Sequence, residues 1–246
     1  MRIAAIYDIH GNLPALEAVL QDIALAKVDL VVVGGDMVAG PMPPETLECV
    51  LNLTLPVQYI QGNADREVIA QKAGADAGAV PEHVKAITRW VADQLLPEHI
   101  QLLASWPPTL TVAMSGLGEI LFCHATPRSD TEVFTRVTPE DRLVPAFEGL
   151  DARLIICGHT HMQFDRMIGK IRVVNAGSVG MPYGDPGAYW LLIESSVQFM
   201  HTLYDRTHAA ARILATGYPQ AKDFAAHNVL QPPSEAEALD AFAQMM

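Results

Sequence analysis

The residues of this chain that could carry chemistry lie in short polar motifs, each of which directly follows an apolar, strand-like run. Because the carboxyl ends of neighbouring strands meet at one edge of an open α/β sheet, we expect these side chains to gather in one crevice. Two Asp, one Asn and four His would meet there, and oxygen and imidazole ligands in that number suggest a site for two metal ions. The motifs are, in chain order, Asp8-Ile9-His10, Gly35-Asp36, Gly62-Asn63, His124 and Gly158-His159-Thr160-His161.

The apolar runs support this interpretation as much as the motifs do. Near-continuous apolar stretches of four or five residues are typical of strands that are buried on both faces. In extended backbone, residues two apart project to the same side, so the pair Asp8 and His10 and the pair His159 and His161 can each converge on a metal. The runs comprise residues 3–7, 30–33, 57–60, 120–123 and 154–157.

Each motif alone has a simpler explanation. A single His is commonly a surface or capping residue, and an Asp or Asn after a Gly is commonly a turn or helix cap. Five such motifs in order, each after a buried-strand pattern, are difficult to reach by coincidence. We therefore interpret them jointly as one metal site.

The series of motifs resembles that of the calcineurin-like metallophosphoesterases, particularly their small bacterial and archaeal phosphodiesterase branch. The resemblance covers roughly residues 1–205 and includes the run Asn-Ala-Gly-Ser-Val-Gly at residues 175–180. It implies an α/β (α+β) fold in which two packed, mixed β-sheets form a sandwich flanked by helices.

The resemblance also implies how the ligands divide between two divalent ions. Two ions about 3.5–4 Å apart require a shared anionic ligand, which agrees with a bridging carboxylate. Mn is the expected metal on the resemblance, while Fe, Zn, Co or Ni also suit a ligand set without thiolate. Under this division Asp8, His10 and His161 hold one ion, Asn63, His124 and His159 hold the other, and Asp36 bridges both.

A small phosphate ester is the expected substrate. Two divalent ions, two carboxylates and a bridging hydroxide leave a net positive site, because neutral His and Asn ligands add no charge. We expect a phosphodiesterase in which the hydroxide attacks phosphorus in line. A phosphomonoesterase or a nucleotide pyrophosphatase would use the same dinuclear site. A non-catalytic scaffold of the same fold, such as the related subunit of the retromer complex, is a further alternative, but it would be marked by lost ligands.

Four positions near the motifs affect the expected reaction. Many members of the resembled family have a His after Gly-Asn, the usual candidate for protonating the leaving group, whereas this chain has Ala64. We therefore assign no catalytic side chain, and the metal-bound hydroxide is the one catalytic group that we expect. Arg66 and Arg128 are candidate phosphate contacts at the rim, with surface ion pairs as the alternative. Tyr183 either packs the loop 177–187 or stacks on a substrate group.

Composition restricts the class of protein and its partners. The chain has 246 residues and a net charge of −12, with 28 Asp and Glu against 16 scattered Lys and Arg, so binding to long nucleic acid is not expected. The sequence contains neither a run of about 18 apolar residues nor a signal-peptide core, which predicts no membrane span and a cytoplasmic location. The three cysteines, Cys49, Cys123 and Cys157, are interpreted as core residues.

The remaining chain is expected to form scaffold. Residues 1–230 are predicted to form one domain, followed by a short acidic C-terminal helix or tail, residues 231–246, after Pro232-Pro233. We expect helices over residues 14–26, 81–105 (two helices, with His83 and His99 facing solvent) and 207–227. The second half is predicted to supply the second sheet through hairpins at 112–122, 164–174 and 188–203.

Overall fold

Ten strands form two mixed five-stranded sheets, in a computed structural model that describes residues 1–75 and 82–244. The first sheet has the order β10-β9-β1-β2-β3 and the second the order β4-β5-β6-β8-β7. The strands are β1 (Ile3–Ile6), β2 (Leu30–Val33), β3 (Val57–Tyr59), β4 (Thr109–Met114), β5 (Gly118–Cys123), β6 (Leu154–Cys157), β7 (Gln163–Ile168), β8 (Ile171–Ala176), β9 (Ala188–Ile193) and β10 (Val197–Thr202).

Helices cover the outer faces of the two sheets. Most of them pack on the first sheet, whereas α6 packs on the second. A short π-helical segment, Ala225–Leu230, follows α8. The helices are α1 (Leu13–Ala26), α2 (Pro43–Leu51), α3 (Asn63–Lys72), α4 (Glu82–Gln94), α5 (Pro97–Ser105), α6 (Glu140–Phe147), α7 (Arg206–Leu214), α8 (Ala221–Phe224) and α9 (Glu235–Ala243).

Parallel pairing within each sheet brings the motif-bearing strand ends together. Strand β1 runs parallel to β2, and β2 runs parallel to β3. In the second sheet, β6 lies between β5 and β8 and is parallel to both. The carboxyl ends of these strands therefore reach a common edge, where the polar motifs begin. The predicted fold class, a two-sheet sandwich flanked by helices, is confirmed.

The two sheets pack face to face, and apolar side chains and one side-chain hydrogen bond join them. Ile3, Val32, Phe122 and Ile156 are among the side chains buried between the sheets. The Tyr7 hydroxyl donates a hydrogen bond to the Ile156 carbonyl at 3.1 Å and so joins the sheets directly beneath the motifs. Burying an aromatic ring contributes roughly 2–3 kcal/mol, so this interior gives the motif-bearing strands a rigid base.

Three sequence predictions need correction. The hairpin β9–β10 joins the first sheet, because β9 pairs with the free edge of β1, so the second half does not belong only to the second sheet. Residues 207–227 form two helices, since Gly217 and Pro219 interrupt the pattern between α7 and α8. His99 is buried, and its Nδ1 accepts the Leu96 N–H at 3.4 Å at the start of α5. The His83 side chain lies outside the described part of the structure.

The described residues include no helix that is both long enough and apolar enough to cross a membrane.

Candidate metal centre

Five of the seven predicted ligands have an unusual backbone conformation. A positive φ is rare for residues other than Gly and costs roughly 1–3 kcal/mol each, so a cluster of such residues commonly marks a functional site. In residues 1–75 and 82–244, only six non-glycine residues have positive φ, and the one outside the predicted site is Lys27, which ends α1. The other five are Asp8 (φ 52°), His10 (48°), Asp36 (52°), His159 (67°) and His161 (57°).

Asp8, His10 and His161 form the first ligand group. Their ligand atoms lie within 4.8 Å of one another. The His10 and His161 Nε2 atoms are 3.2 Å apart, and Asp8 Oδ1 lies 3.4 Å from His161 Nε2 and 3.9 Å from His10 Nε2. Asp8 Oδ1 is fully buried and accepts no hydrogen bond. A buried carboxylate oxygen without a partner, facing two imidazole nitrogens, fits a divalent cation.

Asp36, His124 and His159 form the second ligand group, and Asn63 lies beside them. The Asn63 amide presents Oδ1 at 3.1 Å from His124 Nε2 and at 3.0 Å from His159 Nδ1. Turning the amide would exchange these contacts for hydrogen bonds from its NH₂ group. We favour Oδ1 facing inward, because an amide oxygen and two imidazole nitrogens pointing at one space form a metal-ligand set.

Asp36 lies between the two groups. Its Oδ2 is 3.3 Å from His124 Nε2 in the second group and 3.7 Å from His10 Nε2 in the first. Its Oδ1 accepts the Ala64 N–H at 2.8 Å, at the N-terminus of α3, where the helix dipole favours a carboxylate. One oxygen is therefore fixed by the protein, and the other faces both groups.

Backbone carbonyls orient three of the imidazoles. A carbonyl can pair only with a protonated ring nitrogen, so each contact fixes the Nδ1–H tautomer and leaves the Nε2 lone pair for a metal. Sequence motifs do not reveal these partners, because each carbonyl comes from a distant loop. The pairs are His10 Nδ1 with Ala39 O (3.2 Å), His124 Nδ1 with Gly34 O (2.9 Å) and His161 Nδ1 with Met181 O (2.8 Å).

The run 175–180 positions the motif loops. Asn175 Nδ2 donates to the Gly158 carbonyl at 2.6 Å, which holds the loop that carries His159 and His161. The Ser178 hydroxyl donates to the Asp8 carbonyl at 2.7 Å. The family resemblance includes this run, but the sequence alone predicts no role for its residues. The structure identifies Asn175 and Ser178 as positioning residues.

Two glycines are required because the loops approach one another closely. A Cβ at Gly158 would lie 2.4 Å from Asp8 Oδ2. Gly35 has a φ of +91°, and a Cβ there would lie 2.8 Å from His124 Nδ1. Both contacts are shorter than side chains tolerate, so the glycines of these motifs permit the convergence of ligands.

Burial and neighbouring charges shift the pKa values of two histidines of the site in opposite directions. Burial disfavours the charged form of His124, but the adjacent Asp36 and Asp8 carboxylates outweigh it and raise the pKa of His124 to about 10. Burial, together with the neighbouring His124, lowers the pKa of His159 to about 4. Burial also opposes ionisation of Asp36, yet His124 holds the Asp36 pKa well below its usual range. A proton on His124 thus supplies positive charge in the ligand group where a metal cation would otherwise supply it.

Asp65, which sequence analysis did not assign, connects the loop after β2 to the start of α3. It is fully buried, its Oδ1 accepts the Met37 N–H at 2.9 Å and the Val38 N–H at 3.3 Å, and its Oδ2 accepts the Gly62 N–H at 3.3 Å. Burial, with Asp36 nearby, raises the pKa of Asp65 to about 7. Its backbone partners flank both Asp36 and Asn63.

We expect Asp65→Ala to lower the free energy of unfolding by about 3 kcal/mol, because several buried N–H groups lose their acceptor. Urea denaturation of the metal-free protein measures this change. Asp151→Ala, at an exposed position, is the matched control and should change stability by less than about 0.5 kcal/mol. Equal stability of the two variants would contradict the assigned role.

The two candidate phosphate contacts lie at the rim of the site, and both are paired with acids. Arg66 donates to Asp130 from Nε at 2.7 Å and from Nη2 at 3.1 Å. Arg128 pairs with Glu132, with Nε to Oε2 at 2.9 Å. Both guanidinium groups line a cleft of about 320 Å³ that His124 also borders. The structure thus places them beside the second ligand group, in ion pairs that leave each side chain about half exposed.

The chain is similar in sequence and in fold to several known proteins. The chain is 25% identical to the phosphodiesterase YfcE of Escherichia coli, over 84% of this chain and 95% of YfcE. A metallophosphoesterase structure from Sphaerobacter thermophilus matches with a TM-score of 0.71 at 27% identity, covering 93% of this chain and 99% of that one. A hypothetical protein of Pyrococcus horikoshii shares the fold, with a TM-score of 0.80 at 22% identity, over 95% and 99% of the two chains.

A model of the calcineurin-like phosphoesterase superfamily domain matches residues 1–196. This span includes all seven predicted ligands and both sheets except β10. Metallophosphoesterases of this family use divalent metals, and two groups of Asp and His in the described chain could hold such ions. The chain belongs to the calcineurin-like phosphoesterase superfamily.

Proposed function

We propose that this protein is a dinuclear metal-dependent phosphoesterase that hydrolyses a small phosphodiester. The observation that carries the proposal is the position of Asp36, whose Oδ2 faces both ligand groups. The similarity to the phosphodiesterase YfcE supports a diester as the substrate class.

In this proposal the ligands divide as the geometry groups them. Bound divalent ions would supply an activated water and polarise the phosphate oxygens. The orphaned Asp8 Oδ1 and the inward-facing Asn63 Oδ1 fit such ions. Mn is our proposed metal on the family resemblance, and a ligand set that mixes imidazole and oxygen without thiolate also suits Fe, Zn, Co or Ni. The first ion would be held by Asp8, His10 and His161, the second by Asn63, His124 and His159, with Asp36 shared.

The chain's own residues would favour an anionic, mono-charged substrate. Asp8 and Asp36 are the only carboxylates among the seven proposed ligands, so two divalent ions would leave the site positive. The carbonyl partners of the imidazoles hold the proton on Nδ1 and orient each ring, so that Nε2 faces the ion. Arg66 and Arg128 would contact phosphate oxygens or the ester group from the rim, after partial release from Asp130 and Glu132.

We propose a cytoplasmic location for the enzyme. Cys123 and Cys157 are buried free thiols in the core of the second sheet, and Cys49 is a free thiol on α2. Three unpaired cysteines agree with a reducing compartment.

The proposal is tested by comparing an aryl phosphodiester with the matching aryl phosphomonoester. Purified protein is stripped of metal, assayed, and assayed again after Mn²⁺ is supplied. We expect turnover only with metal and a higher kcat/KM for the diester. A preference for the monoester would instead support a phosphomonoesterase. Bound metal without cleavage of either ester would contradict the proposed activity and favour a scaffold.

A further inference from the structure

The C-terminal helix α9 lies beside the first ligand group. The Tyr183 ring stacks on the imidazole of His161, with ring centroids 5.8 Å apart and planes inclined by 27°. Phe242 of α9 meets the Tyr183 ring at 5.9 Å in an edge-to-face contact with planes at 85°. A column of three aromatic rings therefore connects α9 to a proposed metal ligand.

Two polar contacts hold α9 at its N-terminal end. The Gly184 N–H donates to the Pro233 carbonyl at 2.9 Å, which ties the loop 177–187 to the chain just before the helix. Arg136, on the loop between β5 and α6, pairs with Glu235 at 2.7 Å. The helix is thus attached to two separate loops that leave the second sheet, one after β5 and one after β8. Such contacts on independent elements fix its position over the edge that carries the ligands.

All charged side chains of the C-terminal segment, residues 231–246, are acidic. Residues 231–246 contain Glu235, Glu237 and Asp240 and no Lys or Arg. Arg136 offsets only Glu235, while Glu237 and Asp240 are exposed. An exposed acidic surface beside the site repels approaching polyanions. The segment lies beyond residues 1–196, the part of the chain that the family model matches.

We propose that α9 and Tyr183 form one wall of the substrate site and restrict it to small phosphate esters. The inference rests on the proposed function and identifies its substrate class more closely. A small diester reaches the ligand groups without contacting α9, whereas an oligonucleotide must pass its acidic surface and the Tyr183 ring. Tyr183 is here a specificity-determining residue, and Phe242 and Arg136 are positioning residues that act through the wall.

Two variants in the full chain release the wall from opposite sides. Phe242→Ala removes the ring that supports Tyr183, and Glu235→Gln breaks the ion pair with Arg136 and removes one acidic charge. For each, kcat/KM with Mn²⁺ is measured for an aryl phosphodiester and for a short oligonucleotide. We expect the preference for the small diester to fall by about tenfold, the scale of losing a few screened charge repulsions and a packing contact.

A binding measurement makes the test independent of hydrolysis. The anisotropy of a labelled oligonucleotide reports its affinity for the Mn²⁺-loaded protein, and we expect about tenfold tighter binding by both variants. Phe199→Ala, a half-exposed ring on the edge strand β10, is the matched control and should behave as the parent protein. A double variant that exchanges the two charges of the ion pair, Arg136→Glu with Glu235→Arg, should restore the parent protein's preference for the small diester.

The possible failures are distinguishable. If the parent protein cleaves no ester, the proposed activity is wrong, while anisotropy still reports whether α9 excludes the oligonucleotide. If the parent cleaves the diester but Phe242→Ala and Glu235→Gln change neither the preference nor the affinity, the wall is contradicted. Far-UV circular dichroism and thermal midpoints of all variants identify any loss of fold, and Glu235→Gln, which alters an exposed ion pair, serves if Phe242→Ala unfolds.

Discussion

Asp36→Asn is expected to abolish turnover while the protein stays folded. The Asn side chain retains an oxygen for the Ala64 N–H, which Asp36 Oδ1 now accepts at 2.8 Å. It places an uncharged NH₂ group, however, where Oδ2 faces His10 and His124 at 3.7 and 3.3 Å. Loss of the shared negative charge should reduce kcat by roughly a thousandfold or more, about 4 kcal/mol in activation free energy.

The measurement is kcat for the aryl phosphodiester with saturating Mn²⁺, together with the metal content of the variant. Asp151→Asn, an exposed change elsewhere, is the matched control and should retain parental activity. Far-UV circular dichroism establishes that the fold is kept. An Asp36→Asn protein that is both metal-replete and active would refute the bridging role.

Ala64→His is expected to increase activity on substrates with poor leaving groups. Ala64 follows Asn63 at the start of α3 and is partly exposed, and its contact with Asp36 is made by the backbone N–H, which the substitution keeps. An imidazole there could protonate a departing alkoxide, a contribution typically worth 10²–10⁴-fold when fully aligned. Without a supporting partner we expect a gain of about tenfold to a hundredfold for an alkyl phosphodiester.

The control for this prediction is the leaving group itself. An aryl diester releases a weakly basic phenoxide that needs little protonation, so its turnover should change by less than about threefold. Ala64→Gln provides a side chain of similar length that cannot transfer a proton and should give no gain. An equal gain on both substrates, or a gain with Gln, would show that the effect is not acid catalysis.

The types and order of the proposed ligands could be predicted because each follows a buried strand. The runs that became β1, β2 and β6 are apolar at every position, and their parallel pairing requires their motifs to share an edge. The pattern also identified α1, whose cap Asn12 accepts the Ala15 N–H at 3.3 Å. These features depend on the local sequence and on the spacing of apolar residues, and both can be read from a single sequence.

Features that depend on distant contacts could not be predicted in this way. The left-handed backbone of Asp8 and His161 is imposed by packing among loops, because neither residue type prefers it. The role of Asp65 depends on the Met37 and Val38 N–H groups, which are 28 and 27 residues away in sequence, and an Asp after Gly-Asn-Ala equally resembles a simple helix cap. Burial of His99 has the same cause, since a His in the first turn of a helix does not by itself indicate a buried position.

Pairing of edge strands is the remaining feature that the pattern could not specify. The hairpin β9–β10 has the same alternation as the hairpins of the second sheet, yet it joins β1. Alternation indicates that a strand has one buried face but not which sheet accepts it. The docking of α9 is likewise invisible in sequence, because a short acidic helix after Pro232-Pro233 can equally fray or bind a partner.

The number of Mn²⁺ ions bound per chain, measured while diester hydrolysis is followed, tests the central claim most directly. Metal-stripped protein is titrated with Mn²⁺, and bound metal is determined after removal of free ions. We expect no activity without metal and full activity only when two ions are bound, because Asp36 faces both ligand groups. Full activity in the stripped protein, or with one ion bound and no second site, would contradict a dinuclear phosphoesterase.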